Sequence, residues 1–398
     1  MAIARHGTGT RAAVGALASQ VHPVFMLPPL AASWFGAILA GEFGLLVGAV
    51  HALTIFFAVY TAHVKDGYVD FYRRGEDDDH PMSRRGCHVG LAGATLGFVA
   101  CAAALASLVD VGVLALVVPT WFLGFFHAPQ LDTNPVTATA GYPSGIALSI
   151  LGGYYAQTGG VAATPAAFAA VFLLVLSGVK IIDDAQDYQY DRSIGKRTVA
   201  VALGYANAFR LADALVGLGL FLVVAGAITG LFPAFAPVAA VAFGAVVVVA
   251  RGATPQLATM LLIRGAYVFL ALLVVAVAYR PLAGVPLPDI GVLGPYTYLA
   301  TEVLFGTFAA VLLVRAGRDA VRRTARTIAV VYPVAYVWDW YTLEVGVFAI
   351  PLRTGVELLG IPLEEHVFMV VVPAFVLGIH ETLAARDPPA ARSSNASE

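Results

Sequence analysis

Apolar runs of about 18 residues or more recur along the whole chain, parted by short stretches in which charge collects. Each run is long enough for a membrane helix. The pattern predicts spans at about residues 14–40, 44–64, 88–109, 111–128, 141–157, 165–182, 200–228, 231–251 and 257–279, then at about 293–314, 327–349 and 361–383. The Pro/Gly-rich stretch Arg280–Pro295 interrupts the series after the ninth run. The expected fold class is therefore all-α and polytopic, with about twelve transmembrane helices. Residues 1–280 form a nine-helix bundle, 281–292 a linker and 293–385 a three-helix unit. The polar, Pro/Ser-rich end, 386–398, reads as a disordered tail.

Composition agrees. Of 398 residues, 59% are hydrophobic and only 12% charged, about half the charge of a soluble domain. Net charge is −2, so no basic tract points to nucleic acid. Cys87 and Cys101 lie fourteen residues apart, in or near one apolar run, with neither disulfide nor metal spacing. Arg5 and Arg11 precede the first run, and no short apolar region with a cleavage site stands before it. Loop charges set an orientation. Arg73, Arg74, Arg84 and Arg85 share one side with Arg192, Lys196, Arg197, Arg251 and the arginines of 315–326, while the opposite loops hold almost only Arg280 and Arg353. The positive-inside rule then puts both termini in the cytoplasm of a multi-pass cell-membrane protein.

Candidate chemistry concentrates in Lys180–Thr198. Asp184, Asp187 and Asp191 are spaced three and four apart, which stacks three carboxylates on one helical face. Such oxygens suit Mg²⁺, which often bridges carboxylates to substrate phosphates. Arg192, Lys196 and Arg197 follow at once and supply charge for phosphate oxygens. The alternative is a solvated charged loop. A second acidic loop, His63–Pro81, holds Asp66 and Asp70 four apart, then Arg73, Arg74 and the run Glu76–Asp79. Two carboxylate clusters with interleaved arginines suit a diphosphate–Mg²⁺ complex between them, although Glu76–Asp79 by itself is equally a solvated run. Gly195-Lys196-Arg197-Thr198 lacks the upstream glycine and strand of a P-loop.

Other polar positions in this part carry two readings each. Pro23, Pro28 and Pro29 are placed to kink the first span and open a cavity. His22 faces that cavity or packs at the interface. Gln130, Asp132, Asn134 and Tyr142 cap the site or simply make a polar loop. Tyr154 and Tyr155 stand near a carbocation or anchor at the membrane interface.

These motifs resemble those of the UbiA-type intramembrane prenyltransferases. Asp184-x-x-Asp187-x-x-x-Asp191-Arg192 with Gly195-Lys196-Arg197-Thr198 is similar to the second aspartate motif, and Asp66-Gly-Tyr-Val-Asp70 with Arg73-Arg74-Gly75 and Asp77 to the first. Asp66 stands where the family has Asn, Gly67 where it has Asp, and His22-Pro23 where Arg-Pro is common. The resemblance covers about residues 12–280 and implies nine helices around a cavity, Mg²⁺, and an isoprenyl diphosphate, such as dimethylallyl diphosphate, ionised at the cytoplasmic side. Asp66, Asp70, Asp184, Asp187 and Asp191 would then hold metal, and Arg73, Arg192, Lys196 and Arg197 the diphosphate.

The last three spans carry acids inside apolar sequence: Glu302, Asp339, and the pair Glu364–Glu365. A carboxylate at the bilayer centre costs on the order of 3 kcal/mol, so three spans that retain acid point to one shared polar site. A carboxyl kept protonated in apolar surroundings can act as a general acid toward an alkene. The alternative is structural hydrogen bonding between helices. Glu302, Trp338-Asp339 and Pro362-Leu363-Glu364-Glu365 resemble the lycopene cyclase unit of the heterodimeric carotenoid cyclases, over about 290–385. That resemblance implies protonation of a terminal alkene by Glu364 or Glu365, with Glu302 and Asp339 tuning or returning the proton. Two such units combine in that family, so a second copy of this chain or another cyclase subunit is implied as partner.

The sequence thus supports a fused membrane enzyme of carotenoid synthesis: Mg²⁺-dependent prenyl transfer to a linear carotenoid such as lycopene, then end-group cyclisation. A prenyltransferase with a quinone, aromatic or glycerol-lipid acceptor and a non-catalytic last domain is the second reading. A transporter or channel is the third, and it leaves the Asp/Arg loops unexplained.

Overall fold

The first apolar run forms two helices, α1 (Gly9–Ser19) and α2 (Pro23–Leu39), which meet at 67°. Pro23 opens α2 in its first turn, where a missing N–H is no loss. Deeper in α2, Pro28 and Pro29 cannot donate to the carbonyls of Val24 and Phe25 four residues back. Two tyrosines from later helices take over. Tyr267 donates its hydroxyl to the Val24 carbonyl, and Tyr142 donates to that of Phe25 at 3.2 Å. The expected proline effect is thus split: the break falls at Gln20–His22, and the proline pair leaves two carbonyls that outside side chains satisfy. Tyr142→Phe and Tyr267→Phe are each expected to lower stability by about 0.5–1.5 kcal/mol, the net worth of one hydrogen bond. Thermal melting of the purified protein in detergent measures the loss.

The computed structural model describes residues 3–284 and 290–384. Residues 285–289 of the expected linker, and the expected disordered tail 386–398, lie outside the described residues. The chain divides into two units, Met1–Gly284 and Val285–Glu398. After α2 the first unit continues with α3 (Leu45–Val69), α4 (Arg84–Leu108), α5 (Leu114–Phe126), α6 (Pro135–Thr158) and α7 (Ala163–Gln186). Two short helices, α8 (Tyr188–Ser193) and α9 (Val199–Leu203), lead to α10 (Tyr205–Ile228), α11 (Ala236–Arg251) and α12 (Pro255–Tyr279). Glycines let α2 and α6 approach backbone to backbone: a Cβ on Gly36 or Gly153 would lie 2.0 Å from a carbonyl oxygen of the facing helix. A buried aromatic cluster of Phe35, Phe168, Phe172, Phe243 and Phe269 ties α2 and α7 to α11 and α12.

In the second unit α13 (Thr297–Ala316) and α14 (Arg318–Glu344) precede a two-stranded hairpin, β1 (Glu357–Leu358) with β2 (Ile361–Pro362). The tight turn puts Leu359 and Gly360 at φ 50° and 82°. The hairpin delivers the chain directly into α15 (Leu363–Ala384), so Glu364 and Glu365 fall in its first turn, where the helix dipole favours negative charge. α15 packs against both α13 and α14, and Arg323 clamps Glu381 through two hydrogen bonds, at 2.9 and 2.6 Å.

Among the described residues seven helices are long and apolar enough to cross a membrane, or eight if α1 and α2 make one bent span. Of the other four stretches expected to span, α5 and α11 are apolar but short, and α6 and α14 fall outside that set. α14 is too polar for it, since Arg318, Arg322, Arg323 and Arg326 crowd its first half.

Candidate active site

The first unit encloses a cavity of about 810 Å³. Its composition is graded because two helices each present one graded face to it. α3 contributes Ile55, Val59, His63 and Asp66, with Asp70 just past its end; α7 contributes Phe172, Leu176, Val179, Lys180 and Asp183. Steps of three and four residues keep each series on one side of its helix, so both faces run from apolar depth to an acidic rim. Pro28, Pro29, Tyr142 and Tyr267 line the same space, so the tyrosines that patch α2 also wall the cavity. His22 lines it as well. Tyr154 and Tyr155 do not, and Tyr155 donates instead to Asp110 at 2.9 Å.

At the rim the two acidic loops are stitched together. α3 runs into a π-helical turn, Asp70–Arg74, which Gly75 ends in a left-handed conformation (φ 66°). Arg74 then reaches Asp70 at 3.5 Å, Glu76 at 3.5 Å and Asp132 at 2.5 Å. Lys196 reaches Glu76 at 3.4 Å and lies within electrostatic range of Asp70, Asp184 and Asp191. The Arg197 amide donates to the Asp132 carbonyl at 3.2 Å. Asp132 is thereby tied to both loops, whereas Asn134 caps the start of α6 through the Val136 amide.

Several expected site residues are placed differently from the reading of spacing alone. Asp66 and Asp70 line the cavity. Asp184 does not; it is buried and held by Lys180 at 2.5 Å, and its neighbour Asp183 faces the cavity instead. The register Phe172, Leu176, Val179, Asp183 along α7 carried that signal. Asp187 is exposed where α7 ends, and Asp191 is buried in α8, so the expected three-carboxylate helical face is broken at Asp187. Arg73 is exposed, its guanidinium 5.7 Å above the Tyr68 ring, and Arg74 takes the inward place. Arg192 and Arg197 are exposed near the rim, and Lys196 is half-buried in it. The run Glu76–Asp79 divides: Glu76 joins the ion network, and Asp79 pairs with Arg5 and His6 of the N-terminal segment. Gly67, where the resembled motif has an acid, makes room for buried His80; a Cβ there would lie 2.7 Å from His80 Nε2.

Asp184→Ala is expected to cost about 1–3 kcal/mol, because it strips Lys180 of its nearest partner within a helix. Asp183→Ala should leave melting nearly unchanged and act on ligand binding. Thermal melting with and without ligand separates the two.

Among the described residues no group of three or more His, Cys, Asp or Glu side chains is gathered closely enough to hold a metal ion alone. The rim nevertheless fits a hard cation. Asp66 and Asp70 line the cavity together, and Asp70 Oδ1 is a buried carboxylate oxygen with no hydrogen-bond partner. Mg²⁺ commonly takes one or two carboxylates and completes its shell with water and substrate phosphate. Burial pushes the Asp191 carboxyl up to about 6, against the pull of Lys196.

The second unit gathers its own acids. Glu302, Glu364 and Glu365 are buried, and Asp339 is half-buried. Glu302 lies within electrostatic range of Glu364 and Glu365, and the Asp339 carboxyl pairs with that of Glu365. Glu364 accepts from the Thr354 amide at 2.6 Å and the Thr354 hydroxyl at 2.7 Å, while its other oxygen and Glu302 Oε2 are buried without partner. Next to them His366 donates from Nε2 to the Leu358 carbonyl at 2.7 Å, which leaves Nδ1 to accept from Tyr332 at 2.6 Å. His366 and Thr354 were not singled out by the sequence. The Glu-Glu-His run at the start of α15 was the available signal for His366.

Comparison with known proteins places the first unit. Residues 80–256 match the model of the UbiA prenyltransferase family. A solved structure of a digeranylgeranylglyceryl phosphate synthase aligns with a TM-score of 0.55 at 13% identity, over 68% of this chain and 98% of its own. An apo UbiA homolog from Aeropyrum pernix K1 aligns at 0.52 and 19% identity, over 64% and 98%. A UbiA homolog from Archaeoglobus fulgidus, solved with GPP and Mg²⁺, gives 0.46 at 14% identity, over 67% and 99%. No curated protein sequence matches the chain. Over residues 80–256 the chain is thus similar to the UbiA prenyltransferase family, and its apolar helices make a multi-pass helical membrane fold.

Proposed function

We propose that the chain is a bifunctional membrane enzyme of carotenoid biosynthesis. Its first unit transfers a C5 prenyl group from an allylic diphosphate such as dimethylallyl diphosphate to a linear carotenoid such as lycopene, and its second unit cyclises the end group. Both termini lie on the cytoplasmic side of the cell membrane. The observation that carries the transfer reading is the graded cavity. An ion-paired acidic rim stands over an apolar chamber, and that gradient matches a substrate with a diphosphate head and a hydrocarbon tail.

In this reading Asp66, Asp70, Asp187 and Asp191 would hold Mg²⁺, with Asp183 in the place first expected of Asp184. When bound it would neutralise charge on the departing diphosphate. Arg74 and Lys196 are the inward cations for phosphate oxygens, and Arg192 and Arg197 the outer ones. The apolar walls keep water from the allylic cation. In the second unit the Asp339–Glu365 pair is the proton carrier. Facing carboxyls share a proton more readily than both ionise, whereas Glu364 is held as an acceptor by Thr354. The cyclase assignment rests on this cluster and on the Pro362–Glu365 motif, with a second copy or another cyclase subunit as its partner.

The test is Mg²⁺-dependent diphosphate release from dimethylallyl diphosphate by the purified protein, with lycopene as acceptor. With a quinone or a glycerol lipid offered as acceptor in parallel, its prenylation in place of an extended carotenoid would instead support the second reading, in which the last unit only mediates assembly. The fold shared with the glycerol-lipid synthase keeps that reading in view.

Ligand binding should also strengthen with pH. Asp191 gains its proton on folding at a higher pH than the ordinary 3.8, so the empty fold loses stability as pH rises from about 4 to about 6. Cation binding needs the ionised form. The rise in melting temperature caused by Mg²⁺ plus dimethylallyl diphosphate is therefore expected to grow between pH 5 and pH 7, and to grow less in Asp191→Asn.

A further inference from the structure

Transfer of a prenyl group to an alkene carbon leaves a cation that must lose a proton to give an olefin, and the first unit holds a group placed to take it. His63 lies on the cavity face of α3, three residues before Asp66 and seven before Asp70. At about 1.5 Å per residue it sits about 5–10 Å below the acidic rim, at the depth of the C5 unit of a donor whose diphosphate rests on those acids. Its tautomer is fixed by its partner. Nδ1 is 3.2 Å from the Gln20 carbonyl, which can only accept, so Nδ1 carries the hydrogen and Nε2 holds the free lone pair. The His22 ring stands edge-on at 5.1 Å and the Phe25 ring at 6.4 Å, which fixes the imidazole plane. The break between α1 and α2 supplies both anchors, Gln20 and His22. Among the described residues no hydrogen bond or ion pair to Nε2 of this imidazole is found, and Asp66 of the rim lies within electrostatic range of the ring.

We propose that His63 is the base that completes prenyl transfer, accepting at Nε2 the proton lost from the prenylated acceptor. The inference rests on the transfer reading of this cavity. The donor C–O bond breaks and its electron pair leaves on the diphosphate. The terminal C=C of the polyene supplies the pair for the new C–C bond, which leaves a tertiary cation. A C–H bond beside that cation breaks, its electron pair becomes the new C=C, and the proton passes to Nε2. The proton then leaves by way of the aqueous rim. Without the base, the tertiary cation is trapped by water as an alcohol or returns to reactants.

The test uses the full chain in lipid, dimethylallyl diphosphate, Mg²⁺ and lycopene, and reads the ratio of olefinic product to diphosphate released. His63→Asn keeps a donor for the Gln20 carbonyl and removes the base; His63→Gln is the second variant, and His127→Asn is the control at a neighbouring cavity histidine. The ratio is expected to fall about 100-fold or more in both His63 variants, with a tertiary alcohol in place of the olefin, and to hold in the control. An unchanged ratio in either His63 variant overturns the assignment, as does a fall confined to the control. If neither His63 variant releases diphosphate, His63 acts before proton loss and the assignment is likewise overturned. If the unmodified protein releases no diphosphate, the transfer reading itself fails, a result distinct from all of these.

Discussion

Asp70→Asn is expected to slow prenyl transfer by on the order of 10²–10³-fold while leaving the melting temperature close to that of the unmodified protein. Asp70 lines the cavity where α3 gives way to the π turn, and one of its oxygens is buried with no hydrogen-bond partner. Asparagine keeps the shape and the helix end but removes the charge that a cation and Arg74 would share. The transition state has more charge on the diphosphate than the ground state, so the loss falls on the rate rather than on donor binding alone. Arg74→Gln should act in the same direction, and it should also loosen the loop, because it releases Asp70, Glu76 and Asp132 together. Arg73→Gln should do little, since Arg73 lies over Tyr68 outside the cluster. Diphosphate release measured across these three variants separates the inward arginine from the outward one.

Glu365→Gln is expected to remove end-group cyclisation, by about 100-fold or more, and to leave prenyl transfer at its full rate. Glu365 faces Asp339 inside the second unit, and glutamine preserves the packing while removing the transferable proton. Glu364→Gln should differ in kind. Its carboxylate accepts from both the amide and the hydroxyl of Thr354, so the amide substitution turns one acceptor into a donor and disturbs the segment before the hairpin. A fall in melting temperature for Glu364→Gln without one for Glu365→Gln would show the two neighbours in those separate roles. Loss of transfer in Glu365→Gln would contradict the independence of the two sites.

Apolar runs and a Pro/Gly break are one-dimensional signals, read directly along the sequence; the structure divides the chain after Gly284. The acidic loops were legible for the same reason: Asp66, Asp70 and the Lys180–Thr198 stretch stand out against apolar sequence. Rotation about a helix axis was less so. Asp183 and Asp184 are adjacent, and only the register from Phe172 onward tells which one faces the cavity. The choice between Arg73 and Arg74 depends on the π turn at Asp70, which spacing rules for a regular helix do not contain. Tyr142 and Tyr267 were hidden differently. Their task follows from carbonyls left open by Pro28 and Pro29, and it needs two helices more than a hundred residues away in sequence.

The central claim is two acid sites of different kind in one chain, one that grips a cation at the membrane rim and one that lends protons in the second unit. Pigment mass spectrometry of a lycopene-accumulating host, expressing the unmodified chain, Asp70→Asn or Glu365→Gln, tests it most directly. The account predicts carotenoids extended by C5 units and carrying rings from the unmodified chain, rings without extension from Asp70→Asn, and extension without rings from Glu365→Gln. Loss of both changes together in either variant, or lycopene alone from the unmodified chain, would contradict it.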